Sequence, residues 1–263
     1  MSVIIAIVFI MKIVTLGTSH GDPTALHYCT SVLIQTSGKY YLLDAGEPAN
    51  ATLVRMGLRS GQLSGLFVTH AHIDHTGGLP VVIEQAEKWR NRFPDIKMSV
   101  YLPEANMVPA LKAWRLACHT ARFEQSVMVY SYEKGHVYSD DAISVEAFPT
   151  AHMGEIKDTD ARSFALKFTM EGKKVLFTGD LAHDFHDFPL EAADGCDVVF
   201  SELTHYPLEK AIPTLEKLHA GRLVFYHLHN PWQTNDGVRK AYDMCRHLAY
   251  PITFSYDGFA LEL

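Results

Sequence analysis

Thr69-His70-Ala71-His72-Ile73-Asp74-His75-Thr76-Gly77-Gly78-Leu79 follows directly on the apolar run Leu66-Phe67-Val68 and packs three histidines and a carboxylate between positions 70 and 75. On an extended or tightly turning backbone, residues two apart project to the same side, so the imidazoles of His70 and His72 can meet one metal ion while Ala71 faces away. Asp74 and His75 come next. If Gly77-Gly78 opens a helix over 79–89, both sit near its N-terminus and can face a second metal beside the first. Neutral imidazole and carboxylate suit zinc, and also iron or manganese, so the stretch points to a metal site without choosing the metal. The alternative is a polar loop with chance histidines, but a strand before and glycines after are the context of a strand-to-helix site.

His70-x-His72-x-Asp74-His75 resembles the signature of the metallo-β-lactamase superfamily, a large group of dinuclear metallohydrolases. The resemblance implies an α+β fold, a four-layer αββα sandwich with the metals at one edge. It also implies three further ligands that each close a strand: a lone histidine, then an aspartate, then a last histidine. Phe148-Pro149-Thr150-Ala151-His152 matches the first of these and Phe177-Thr178-Gly179-Asp180 the second. For the last, His227 ends the apolar run over 223–226, and His229 is the alternative two residues on. On this reading one metal takes His70, His72 and His152, the other takes Asp74, His75 and His227, and Asp180 is shared because a carboxylate has an oxygen for each ion. Asp44-Ala45-Gly46-Glu47 resembles the superfamily's structural aspartate loop near the metals.

Composition agrees with an ordinary globular protein. The chain has 263 residues, 48% hydrophobic and 20% charged, enough for one large domain, and the whole of 1–263 is expected to form it. A formal net charge of -7 argues against a dominant phosphate-gripping surface and hence against nucleic acid as the main partner. Cys29, Cys118, Cys196 and Cys245 are scattered singly, which reads as reduced core thiols in a cytoplasmic protein and makes zinc binding through cysteine an unsupported option. Residues 2–10 form an apolar run before Met11-Lys12, lacking a basic n-region and cut by Lys12 short of a membrane span. They are expected to be an N-terminal extension from an upstream start codon or an extra strand, with a signal anchor as the alternative.

The rest of the chain reads as two similar halves. Apolar runs over 31–35 and 40–43 flank Ser37-Gly38, and runs over 163–169 and 174–178 flank Glu171-Gly172, each a hairpin. Helices are expected over 49–56, 79–93, 103–123 and 208–218, with further strands over 13–16, 63–69, 98–102, 127–130, 137–138, 143–148 and 196–200. Trp114, Arg115, His119 and Arg122 on the third of these helices could form a lid or pocket wall, the alternative being an amphipathic outer helix. His20 and His183 are candidate contacts at the mouth of the site, with solvated loop positions as the alternative.

Two divalent cations, zinc first and manganese or iron as options, would lower the pKa of a bridging water from about 15.7 towards neutrality, which supplies hydroxide without a protein base. This is hydrolysis, with Asp74, Asp180 and His205 as the residues expected to carry the chemistry. A histidine at position 72 and the absence of cysteine at Asp180 argue against the oxygen-reducing and true β-lactamase branches. Leu16-Gly17-Thr18, the Asp44 loop and 69–79 resemble the branch of tRNase Z and related phosphodiesterases. That branch carries a His-Glu-Ala-Thr motif whose histidine donates a proton. Here the stretch is Ser201-Glu202-Leu203-Thr204, with Ser201 in the histidine's place and His205 able to substitute only from a displaced loop. The expected substrate is therefore a small phosphodiester, not tRNA, and the only other partner considered is a second copy of the chain in a homodimer, with no membrane. A lactone or thioester hydrolase on the same site, and a non-catalytic metal-binding sensor domain, are the rival functions.

Overall fold

A computed structural model describes residues 11–89, 91–120, 127–154 and 162–263. The apolar run over 2–10 and Arg122 lie outside the described residues. Among the described residues, fourteen strands form two seven-stranded sheets. The first holds β1 (Lys12–Gly17), β2 (Ser31–Thr36), β3 (Lys39–Leu43), β4 (Leu63–Phe67), β5 (Met98–Leu102) and β6 (Val127–Ser131), with β14 (Ala260–Glu262) at its edge in the order β14-β1-β2-β3-β4-β5-β6. The second holds β7 (Gly135–Ser139), β8 (Ser144–Thr150), β9 (Ser163–Met170), β10 (Lys173–Phe177), β11 (Val198–Leu203), β12 (Leu223–Leu228) and β13 (Ile252–Phe254), in the order β13-β12-β11-β10-β9-β8-β7.

The two sheets repeat one plan. In the first, β14 to β3 pair antiparallel and β3 to β6 parallel; in the second, β7 to β10 pair antiparallel and β10 to β13 parallel. Both hairpins read from sequence are present, with Ser37 and Gly38 at φ 48° and 75° and Glu171 and Gly172 at φ 49° and 79°.

Each sheet buries both faces, which is why its strands read as apolar runs instead of a polar–apolar alternation. Along β2, β3 and β4, Val32, Ile34, Tyr41, Leu43 and Phe67 point to the centre. There they meet Val145, Leu166, Phe168, Val175, Phe177, Phe200 and Tyr226 of the second sheet. Leu33, Leu42 and Leu66 point outward under α1 (Ala49–Arg55) and α3 (Leu79–Trp89), against Leu53, Val82 and Ile83. On the far side, Leu176, Val199 and Phe225 meet Leu208, Ala211 and Leu215 of α6 (Leu208–Leu215) and Ala241 and Cys245 of α7 (Asn235–Cys245). The result is the expected four-layer αββα sandwich, an α+β fold.

Some local expectations change. Asp74 and His75 precede the helix that follows the glycines, as expected, but they occupy a one-turn helix of their own, α2 (Ile73–Thr76), before α3 begins. The segment over 103–123 is helical only as α4 (Met107–Ala117), with the residues after 120 not described. A further one-turn helix, α5 (Leu190–Ala193), follows the Asp180 loop. Three of the four cysteines are buried thiols, but Cys118 is exposed at the end of α4 and is not a core residue. No helix among the described residues is long and apolar enough to cross a membrane.

Candidate metal centre

The loops after β3, β4, β8, β10 and β11 open at the same edge of the sandwich as the last residues of β12, and each delivers a polar side chain into it. Asp44, directly after β3, is fully buried and takes a left-handed φ of 55°. Its carboxylate accepts from the Thr69 backbone N–H at 2.8 Å, from Thr69 Oγ1 at 3.0 Å and from His75 Nδ1 at 2.8 Å. Fixing Nδ1–H in this way turns His75 Nε2 towards the centre of the site, a role that outer-shell carboxylates commonly play beside metal-binding histidines. Gly46 lets the same loop lie against the Asp74 backbone: a Cβ there would lie 2.1 Å from the Asp74 carbonyl oxygen.

His70, His72, His152 and Asp180 present ligand atoms that all lie within 4.8 Å of one another. His72 Nδ1 is 3.1 Å from both His70 Nε2 and His152 Nε2, and Asp180 Oδ2 is 3.4 Å from the first and 3.5 Å from the second of those Nε2 atoms. A tetrahedral zinc with Zn–N of about 2.0 Å separates its ligands by about 3.3 Å, so these edges match such a shell. Asp74, His75 and His227 form the adjoining group. Asp74 Oδ2 lies 3.3 Å from His227 Nε2 and 3.6 Å from His75 Nε2, and Asp180 Oδ1 lies 3.4 Å from His75 Nε2 and 3.5 Å from His227 Nε2. The two oxygens of Asp180 thus face different clusters.

His227 reaches its place through a bulge. The register of β11 on β12 shifts between Glu202–Tyr226 and Leu203–Leu228, leaving His227 unpaired at φ 48° with its carbonyl held by Thr204 Oγ1 at 2.5 Å. The strand therefore does not end at Tyr226; it carries His227 inside it and runs on to Leu228. His229 is exposed, its ring 5.1 Å from that of His20, and stays out of both clusters.

The protonation states fit a cation. Burial, reinforced by the neighbouring His75, holds His70 well below the usual histidine range, and burial likewise lowers His72 and His152, leaving neutral imidazoles with free lone pairs. Burial opposes charge on Asp180 and Asp74 too, but His227 and His75 beside both, with His70 next to Asp180, outweigh it and keep both carboxylates ionised. His75 is driven the other way: burial disfavours its charge, yet Asp180 and Asp44 raise it well above normal. The site thus gathers negative charge that a bound cation would neutralise in place of that proton. His75 Nε2 and Asp180 Oδ1 are buried and have no hydrogen-bond partner among the described residues, a cost that metal coordination would remove.

His205 also enters the site, its ligand atom grouped with those of Asp180 and His227. Glu202, fully buried at the end of β11, accepts the backbone N–H of Thr204 at 2.6 Å and of His205 at 3.1 Å, which curls the chain back so that His205 Nδ1 donates to Glu202 Oε1 at 3.0 Å. The His205 ring lies 4.3 Å from that of His152, and its Nδ1 3.7 Å from Asp180 Oδ2. Burial works against its charge, but Glu202 and then Asp180 push its pKa up to about 9. This turn on Glu202 is how His205 reaches the site from a position four residues after Ser201. Ser201 points away from the cluster, with Oγ 3.1 Å from Tyr206 Oη. Glu202 and Thr69 were not singled out from sequence, although an acid inside the apolar strand 198–203 is a signal that could have found the first.

Other candidates fall short of the cluster. His20 is half-buried and hydrogen-bonded to Asn230 at 3.0 Å. Arg115 is buried, with Nη2 2.5 Å from Glu87 Oε1 of α3, so it ties α4 to the sandwich; the cavity it lines, with Val108, Leu111 and Val127, includes none of the cluster residues. Trp114 is 59% exposed on α4. His183 is exposed, with Nδ1 donating to the His205 carbonyl at 2.7 Å.

Comparison with known proteins agrees with this architecture. Residues 11–244 match the family described as anti-Pycsar protein Apyc1. The chain belongs to the anti-Pycsar protein Apyc1 family. Among solved structures, the metallo-β-lactamase fold protein YhfI from Bacillus subtilis superposes with a TM-score of 0.77 at 17% identity, covering 97% of this chain and 100% of the other. Zn(2+)-bound PqqB from Methylobacterium extorquens superposes at 0.71 with 15% identity, covering 96% and 100%. Apyc1-family membership therefore comes with the metallo-β-lactamase fold expected from residues 70–75. Ribonuclease Z from Gloeothece citriformis is 34% identical over 141 residues, 51% of this chain and 42% of the relative, so the aligned stretch spans less than half of that relative's length.

Proposed function

We propose that this protein is a dinuclear metal-dependent hydrolase of a small phosphodiester, with residues 11–263 acting as one catalytic domain. The observation that carries the reading is the pair of clusters joined by Asp180, whose Oδ2 faces His70 and His152 and whose Oδ1 faces His75 and His227. His70, His72 and His152 would hold one divalent ion and Asp74, His75 and His227 the other, with Asp180 between them; zinc is the first choice for nitrogen-rich donors of this kind. When bound, two such ions supply Lewis acidity and lower the pKa of water held between them towards neutrality.

The chain's own residues do the rest. Asp44 keeps Nε2 of His75 aimed inward, and Asp74 and Asp180 accumulate the charge that binds cations. His205, protonated below about 9 and held through Nδ1 by Glu202, keeps Nε2 as the ring nitrogen from which a proton can pass to the leaving oxygen. Ribonuclease Z, the relative matched over 51% of the chain, acts on phosphodiesters by its name. A small substrate is favoured over RNA by the net charge of -7 and by the absence of a basic arm among the described residues.

The test is metal content together with turnover of bis-p-nitrophenyl phosphate, a lactone and a precursor tRNA. Close to two metal ions per chain and turnover of the first substrate alone are expected. Turnover confined to the lactone would move the chemistry to carbonyl esters, and turnover confined to the tRNA would overturn the small substrate. Protein that takes up no zinc or manganese would overturn the site.

A further inference from the structure

Beside the metal centre a second cavity of about 400 Å³ opens, lined by Ala151, Ala182, His183, Asp184, His186 and Lys210. Ala151 immediately precedes His152, and Ala182 lies two residues after Asp180, so the cavity begins at the rim of the cluster. Its walls are clamped together. Asp187 turns inward and accepts the backbone N–H of Ala151 at 2.6 Å and of Ala182 at 3.0 Å, while Phe185 is buried at φ 62° with its ring stacked on Phe188 at 4.8 Å. Such a pocket needs no ordering when a ligand arrives.

Its lining carries one cation, Lys210, that no acid of the loop engages. The two acids of the loop are already engaged: Asp187 by the backbone, and Asp184 by His186, whose Nδ1 lies 2.5 Å from Oδ1 and whose proton affinity the hydrogen bond raises. Lys210, exposed on the first turn of α6, has no ion pair among the described residues. His183 commits Nδ1 to the His205 carbonyl and keeps Nε2 for another partner. An ammonium and a fixed imidazole therefore face a preformed cavity that adjoins the cluster, on a chain whose net charge is -7.

We infer that this cavity is an anion subsite in which Lys210 and His183 hold a second phosphate of the substrate, apart from the one that is cleaved. The inference rests on the hydrolase reading for the identity of its ligand as a substrate. It assigns the substrate class more narrowly: a phosphodiester that also bears a phosphate on the moiety beside His152 and His205. Lys210 and His183 act here as specificity-determining residues.

The experiment compares thymidine 3′,5′-bisphosphate with thymidine 5′-monophosphate by calorimetry on the metal-loaded full chain. The second phosphate is expected to tighten binding about tenfold, as a charge-assisted hydrogen bond does, and the gain should shrink with rising ionic strength. In Lys210→Ala the ratio should fall to within about twofold, and Lys210→Arg should restore it. His183→Ala should remove part of it. Equal affinities in the wild type, or a ratio that survives Lys210→Ala, would overturn the subsite even if bis-p-nitrophenyl phosphate is hydrolysed. A ratio that depends on Lys210 in protein without any turnover would leave the subsite standing and sink the hydrolase reading.

Discussion

The two ends of the same strands handle polar groups in opposite ways. At the turn end, every carboxylate in view is consumed by its neighbours. Glu171 Oε1, in the second hairpin, accepts from Thr36 Oγ1 at 2.7 Å and from Ser37 N and Oγ at 2.8 and 3.0 Å, so one half of the molecule caps the other. Asp140 takes Tyr41 Oη at 2.7 Å, Tyr138 Oη at 3.0 Å, Lys39 Nζ at 3.0 Å and the backbone N–H groups of Ala142 and Ile143. At the opposite end, two carboxylates and six imidazoles converge, and His75 Nε2 and Asp180 Oδ1 remain buried without a hydrogen-bond partner among the described residues. Saturation stabilises a fold; unsatisfied convergence makes sense only if something else completes it.

That contrast can be broken from the metal end first. Asp180→Ala removes the carboxylate that both clusters share, so metal content should fall from about two per chain towards zero and turnover by several orders of magnitude, read by elemental analysis and a p-nitrophenolate assay. If the variant kept both ions and full activity, the edge would be no more functional than the turns. Asp44→Asn should be milder. The amide cannot accept the Thr69 and His75 protons as an anion does, and loss of such an orienting partner weakens metal binding about 10–100-fold, measurable by competition with a chelator.

The titration of His205 gives a third, smaller effect. Its pKa is raised to about 9, so the protonated donor is fully present below that value and is lost as pH rises through it. With cations on Asp180 offsetting part of the charge that raises His205, kcat/KM on bis-p-nitrophenyl phosphate should fall on the alkaline side with a midpoint below 9, and His205→Ala should lower the plateau and abolish that limb. A limb that persists unchanged in the variant would take His205 out of the chemistry.

The turn end predicts stability effects and no kinetic ones. Burial disfavours the charge of Asp140, but Tyr41, the Ile143 and Ala142 amides and Lys39 bring its pKa down to about 2. Against an unfolded value of about 3.9, this group stabilises the fold above about pH 4 and loses that contribution as pH falls towards 2. Asp140→Asn should lower Tm at neutral pH by about 1–4 °C, because the partly exposed pair is screened. It should also flatten the loss of stability between pH 4 and 2 while leaving kcat/KM alone. Glu171→Ala, nearer to solvent, should cost about 1–2 °C or less.

The sequence alone pointed to the sandwich, through the resemblance that residues 70–75 carry, and to a metal site at its edge. The grouping of His70, His72, Asp74 and His75 is local, and the apolar runs ending near His152, Asp180 and His227 follow from strands buried on both faces. What only tertiary structure decided are matters of contact between distant residues. Asp44 selects the ring nitrogen that His75 presents from 31 positions away. The bulge against β11 turns His227 into the cluster, and buried Glu202 curls its own loop so that His205 lands over Asp180. Arg115, which reads as a pocket residue on an amphipathic helix, is claimed by Glu87 of a neighbouring helix. A hydrophobic period announces which face is buried, but a polar side chain's role is set by the partner it meets, and that partner is known only once the chain has closed on itself.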